Sequence, residues 1–264
     1  MGLQLPAHRW DSCALLRRSD VNSSPISAWE ATVSDERTAY GSLVAGPRLI
    51  AAAHGTRSAA GLAMLAELAD LLRGARPECD VALCFLDVVE PSLRTALDSH
   101  PGPSVVVPML LSTGYHVARD IPSVAAGRPE IRLADRLGPH PLLTSALIDR
   151  LTEAGGAAAQ QTALVASGSS HPAAAVDLAR AADDLADRRR RPVVPVTLDA
   201  DPAGRIAELR RSGTVAVASY LLAEGFFADQ VRAAAPGLPV TAPIGAHPAV
   251  VELVWHRYDE ASRI

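Results

Sequence analysis

Four side chains able to bind a cation or exchange a proton stand where apolar runs give way to turns. They are His54, directly after Leu49–Ala53; Asp87 and Glu90, in Phe85-Leu86-Asp87-Val88-Val89-Glu90-Pro91; and His116, just after Gly114-Tyr115. A neutral imidazole is both a borderline metal ligand and a base whose reference pKa of ~6.5 leaves it largely unprotonated at neutral pH. A carboxylate beside it can orient the ring or relay a proton. Such groups, far apart in sequence, act together only if the fold collects them.

The chain's grammar says how it would. From Arg48 onward short apolar runs alternate with longer amphipathic segments. Strands are expected at Leu49–Ala53, Val81–Leu86, Val105–Pro108 and Ile131–Ala134, each followed by a helix. The third helix runs through Asp120 and the fourth over about 139–151. After Gly155-Gly156-Ala157-Ala158-Ala159 the pattern restarts, with strands at Leu164–Ala166, Val193–Thr197, Val215–Tyr220 and Val240 and helices between and after them. Strands alternating with helices imply parallel sheets covered on both faces.

The two halves also match in sequence. Ala53-His54-Gly55-Thr56 aligns with Ala166-Ser167-Gly168-Ser169, Met109 to His116 with Tyr220 to Phe227, and Gly138-Pro139-His140-Pro141 with Gly245-Ala246-His247-Pro248, at offsets of 113, 111 and 107 residues. A near-constant offset indicates an internal duplication. The expected organisation is an extension over residues 1–46, an α/β domain over 47–154 and a degenerate repeat of it over 160–264, facing each other across a cleft. Ligands of parallel α/β sheets bind beyond the carboxyl ends of the strands. His54 and His116 fall there after the first and third strands, and Asp87 and Glu90 after the second.

Composition narrows the function classes. Net charge is −4, which argues against a general nucleic-acid surface. No run approaches ~18 uninterrupted apolar residues, so no membrane span is expected, and no cleavable leader is recognisable. The three cysteines, Cys13, Cys79 and Cys84, form neither a CxxC pair nor a disulfide framework. A cytoplasmic location follows as the expectation.

The motifs His54-Gly55-Thr56-Arg57, Phe85-Leu86-Asp87…Glu90-Pro91-Ser92-Leu93 and Val107-Pro108…Leu111-Ser112-Thr113-Gly114-Tyr115-His116-Val117…Asp120-Ile121-Pro122 resemble the sirohydrochlorin chelatases of the CbiX and SirB type. That resemblance implies two tandem flavodoxin-like domains with a tetrapyrrole in the cleft. It makes His54 and His116 the functional histidines and metal ligands. Family members commonly carry Glu where this chain has Asp87, so Asp87, or Glu90 beside it, is the expected acid. The substrates would be sirohydrochlorin or a related anionic tetrapyrrole and a divalent metal, Fe2+, Co2+ or Ni2+, with no organic cofactor. Sirohydrochlorin carries eight carboxylates, for which Arg57 and Arg119 are the expected partners, and Tyr115 is a candidate wall against the macrocycle. Ser167 and Phe227 replace the histidines in the second half, which should be chemically silent. A chain holding both walls needs no second copy, so a monomer is expected.

Other residues keep plainer readings. His140, His171 and His247 each precede a proline at a helix start and are read as turn residues, and Asp120 as a helix cap or support. Arg188-Arg189-Arg190-Arg191 ends a helix and is read as a solvated face. His-Gly-x-Arg also resembles the Arg-His-Gly loop of histidine phosphatases, but Ala at position 53 removes the phosphate clamp. The competing function is a tetrapyrrole or metal carrier with the same cleft and no turnover.

Overall fold

The computed structural model describes residues 46–263; the expected N-terminal extension lies, but for Gly46, outside them. The described chain forms two parallel sheets. The first takes β1 (Arg48–Ala53), β2 (Val81–Phe85), β3 (Ser104–Pro108) and β4 (Ile131–Leu133) in the order β2-β1-β3-β4. The second takes β5 (Gln161–Ala166), β6 (Val193–Thr197) and β7 (Val215–Ser219) in the corresponding order β6-β5-β7. The fourth strand expected at Val240 is a single parallel bridge to Val217. Beyond it the Thr241 hydroxyl takes the Ser219 N–H at 2.9 Å, a position a strand would fill with a backbone carbonyl, and Pro243 follows with no N–H to offer.

Crossovers are supplied by α1 (Ala59–Ala75), α2 (Leu93–Asp98), α3 (Ile121–Ala125) and α4 (Pro141–Glu153) in the first half. The second half has α5 (Pro172–Arg189), α6 (Pro202–Arg210), α7 (Phe226–Ala234) and α8 (Pro248–Ser262). β1, β3, β5 and β7, inside the sheets, are buried on both faces along most of their length, whereas the strands β4 and β6 are largely exposed or half-buried. In β1, Leu49, Ala51 and Ala53 enter one core while Ile50 and Ala52 enter another with α2 and α3. In β5, Leu164 joins the first of these cores, and Ala163 and Val165 pack with α6 and α7. The core common to both sheets holds Leu65, Leu147, Leu185 and Val254, from α1, α4, α5 and α8.

The last helix of each half leaves its own sheet. Helix α4 packs on β7 and α5, and α8 packs on β3, β4 and α1. Polar contacts fix the exchange: Arg76, just past α1, makes a two-point ion pair with Asp259 at 2.6 and 2.7 Å, and the Arg150 guanidinium donates to the Ile244 carbonyl at 2.9 Å. The described residues accordingly form one compact unit.

The connection between halves is clasped as well. Arg189 donates to the Thr162 hydroxyl and to the carbonyls of Ala157 and Ala159, and Arg191 to those of Ala158 and Ala159. The arginine run is exposed at Arg188, Arg190 and Arg191, as a solvated face requires, but it is not only that: Arg189, half-buried, and Arg191 satisfy carbonyls that the irregular linker cannot pair by itself. The three proline-preceding histidines act as expected: the Nδ1 atoms of His140, His171 and His247 accept from the N–H of Leu142, Ala173 and Ala249, each at 3.2 Å.

Candidate active site

The loops after β1, β3, β5 and β7 surround a cleft of about 630 Å³. His54 follows β1 without a break, and Gly55 makes the turn possible. Its φ is +93°, and a Cβ there would lie 2.2 Å from the Asp87 carbonyl oxygen. The close approach exists because the chain after β2 continues to pair with the His54 loop, Leu86 N–H to Ala53 O at 2.8 Å and Asp87 N–H to His54 O at 3.1 Å. Helix α1 then starts at Ser58, whose hydroxyl accepts from the Gly61 N–H.

His116 arrives from β3 by a different route. It opens a π-helical turn, His116–Asp120, that runs directly into α3. Because the backbone is already helical at Asp120, the carboxylate has no cap to make. It accepts instead from His116 Nδ1, at 2.6 Å. The cap expected of Asp120 is therefore not made, and its carboxylate supports the turn through His116 instead. A carboxylate has no proton to offer, so in the neutral ring Nδ1 carries the hydrogen and the lone pair is on Nε2. The His54 and His116 rings meet edge to face with centroids 4.9 Å apart.

The other expected site residues divide. Arg57 and Tyr115 line the cleft with the two histidines, whereas Asp87, Glu90 and Arg119 do not. Asp87 folds onto its own turn, Oδ1 accepting from the Val88 N–H at 2.7 Å. Glu90 Oε2 accepts from the Ser92 N–H at 2.5 Å, ahead of α2. Arg119 sits exposed on the π-helical turn. The carboxylate beside an imidazole is therefore that of Asp120, and no group of three or more His, Cys, Asp or Glu side chains able to hold a metal occurs among the described residues.

The second half supplies the far side of the cleft. Ser167, Gly168 and Phe227 line it at the positions equivalent to His54, Gly55 and His116. Glu224, not singled out by sequence, also lines it, with its carboxylate 2.8 Å from Arg232. The seam is tight: a Cβ on Gly61 would lie 2.3 Å from the Glu224 carbonyl oxygen. Asp177 of α5 reaches across to the His116 loop, accepting from the Thr113 N–H at 2.7 Å and pairing with Arg136 at 2.6 Å. Tyr220 donates to the Leu111 carbonyl at 3.1 Å, and burial pushes its phenol pKa up, so it remains a donor.

Residues 48–154 match the CbiX family model. Among solved structures, SirB from Bacillus subtilis with Fe3+ is 23% identical, with a TM-score of 0.68 over 83% of this chain and 96% of that one. SirB from Bacillus subtilis subspecies spizizenii in complex with cobalt is 21% identical, with a TM-score of 0.66 and the same coverage. CbiX, described as the terminal enzyme for siroheme biosynthesis in denitrifying bacteria, is 19% identical, with a TM-score of 0.63 over 81% of this chain and 99% of its own. No curated protein matches. Both histidines lie inside the segment that matches the CbiX family model, and the chain shares the fold of these chelatase structures.

Proposed function

We propose that the protein is a chelatase that inserts Fe2+ or Co2+ into sirohydrochlorin or a closely related anionic tetrapyrrole, on the route to siroheme or cobalamin. The observation that carries this reading is the pair of imidazoles at the ends of β1 and β3, one keyed by Asp120, in an open cleft. Insertion exchanges one divalent cation for two pyrrole protons, so the site must release a cation and accept protons in the same place. His116, held by Asp120, offers Nε2 in a fixed direction as a metal ligand. His54, exposed and with no hydrogen bond to its ring among the described residues, is free to hand over the cation and then take one pyrrole proton, while His116 Nε2, vacated as the cation leaves, takes the other, and both pass on to water. A site of two protein nitrogens suits transfer, since four ligands would retain the metal. The two halves act as unequal walls derived from one duplicated unit, and the protein works as a cytoplasmic monomer without an organic cofactor.

The test is anaerobic absorbance of sirohydrochlorin mixed with catalytic protein and Fe2+ or Co2+ in turn, against metal-only controls. The expected result is product well beyond the protein concentration. His54→Ala and His116→Ala should each lower the rate by about a hundredfold or more while melting like the parent. A spectral change that stops at one equivalent would replace the chelatase with a carrier, and full activity in both variants would remove the histidines from the site.

A further inference from the structure

The cleft's other side chains bear on how a macrocycle would be held. Seven large hydrophobic residues are exposed among the described residues, and four of them line this one cleft: Val88 at 40%, Tyr115 at 62%, Phe226 at 70% and Phe227 at 45% exposure. The clustering is not an accident of a generally apolar surface, because Leu71, Leu133 and Val176 are the remaining three. Tyr115-His116 and Phe226-Phe227 occupy equivalent positions, after β3 and after β7. The Phe226 and Phe227 rings meet at 64° with centroids 5.5 Å apart.

Val88 adds an independent sign. Its φ is 77°, a region that β-branched residues almost never enter. The conformation is enforced by Asp87, whose Oδ1 takes the Val88 N–H at 2.7 Å and whose carbonyl takes the Val89 N–H at 3.0 Å, closing a three-residue turn. Strained backbone of this kind clusters at ligand-binding sites, and here it presents an apolar side chain at the cleft rim.

Charge is scarce by comparison. Among the described residues lining the cleft, Arg57 is the one arginine or lysine, and the lining acid Glu224 is engaged by Arg232. Recognition of many carboxylates would call for several guanidinium forks aimed inward.

We infer that the cleft grips a flat conjugated macrocycle by its faces and edges, through Tyr115, Phe226, Phe227 and Val88, and leaves its carboxylate arms in solvent. The inference rests on the chelatase reading and narrows it: planar aromatic area selects the substrate, and the number of carboxylates matters little. Tetrapyrroles with fewer acidic arms then fall within the binding range of the same cleft.

Metal-free uroporphyrin, with eight carboxylates, and coproporphyrin, with four, provide the probes, titrated into the full chain while the main absorbance band is followed. Dissociation constants for the two should agree within about threefold and change by no more than that between low salt and about 0.5 M salt, where exposed charges are screened. Phe226→Ala combined with Phe227→Ala should weaken both ligands about tenfold, and Tyr115→Ala, from the other half, should act in the same direction. All three side chains are exposed, and circular dichroism melting checks that the variants fold. Selective, salt-sensitive binding of uroporphyrin, or parental affinity in the aromatic variants, would overturn the inference. If the parent metallates sirohydrochlorin while the variants bind as the parent does, only the aromatic grip fails; if the parent neither binds nor metallates, the chelatase reading fails with it.

Discussion

Asp120→Asn isolates what the carboxylate does for His116. The change keeps shape and volume but gives the group an NH2 that can donate. With the carboxylate, the 2.6 Å contact to Nδ1 permits one neutral tautomer, the one with the Nε2 lone pair open to the cleft. With the amide, either orientation satisfies the bond, and one of them places the hydrogen on Nε2, where it blocks metal. Loss of a group that orients a ligating histidine typically costs about tenfold to a hundredfold in affinity or activity. The Asp120 side chain is 42% exposed, so water can partly replace it, and the lower end applies: about tenfold, or ~1.4 kcal/mol. Two assays read this. Co2+ titration followed in the visible spectrum should show weaker binding, and nitrogen NMR of the His116 ring should show mixed tautomers where the parent shows one. A variant with parental cobalt affinity, a single unchanged tautomer and a metallation rate within about twofold of the parent would refute the argument.

Two further outcomes follow from other contacts. Asp177→Ala removes the partner of both Arg136 and the Thr113 N–H from a seam where the carboxylate is only 12% exposed; urea unfolding should show a loss of about 3 kcal/mol, and a loss below about 1 kcal/mol would mean that water or a neighbour replaces it. His140 has its pKa lowered, first by burial and then by the positive charges of Arg257 and His256, with Glu260 and Glu252 opposing. The folded state therefore binds a proton less readily than the unfolded chain, so this contribution to stability is present above the unfolded value near ~6.5 and is lost as pH falls below it. Parental melting temperature should drop across that window more steeply than in His140→Asn, which caps α4 without titrating; parallel profiles would sink the assignment.

Much of the fold was legible because the signals were local. Runs such as Val105–Pro108 are apolar at every residue and wholly buried, which is what a strand covered on both faces requires. The glycine turn after His54 and the glycine before His116 marked the ends of strands where ligands bind. Signals that depend on a distant partner were harder to read. Asp120 before Ile121-Pro122 looks like a cap, and only the continuous helical backbone from His116 shows that the cap is not needed. The arginine run looks like a solvated helix end, because the unpaired carbonyls it serves lie about thirty residues upstream, in the linker. Asp177 did leave a trace: it interrupts the apolar face formed by Ala174, Leu178, Ala181 and Leu185, and a charge on a buried stripe implies a partner across the interface. Asp87 and Glu90 were placed correctly on the loop after β2, but their rotamers follow from hydrogen bonds within that loop, which spacing does not reveal.

The traded helices α4 and α8 bear on what a single polypeptide gains over a pair of half-length subunits. Two identical subunits exchanging their last helices could fold only as they met, so the fraction folded would rise and fall with dilution. Joining them through residues 154–160 makes that encounter intramolecular and independent of dilution. It also breaks a constraint of symmetry. In a pair of identical subunits any residue placed on one lip of the cleft appears on the other, and a histidine would oppose a histidine. One continuous chain can keep His116 on one lip and put Phe227 at the matching place on the other, so that each lip offers side chains the other lacks.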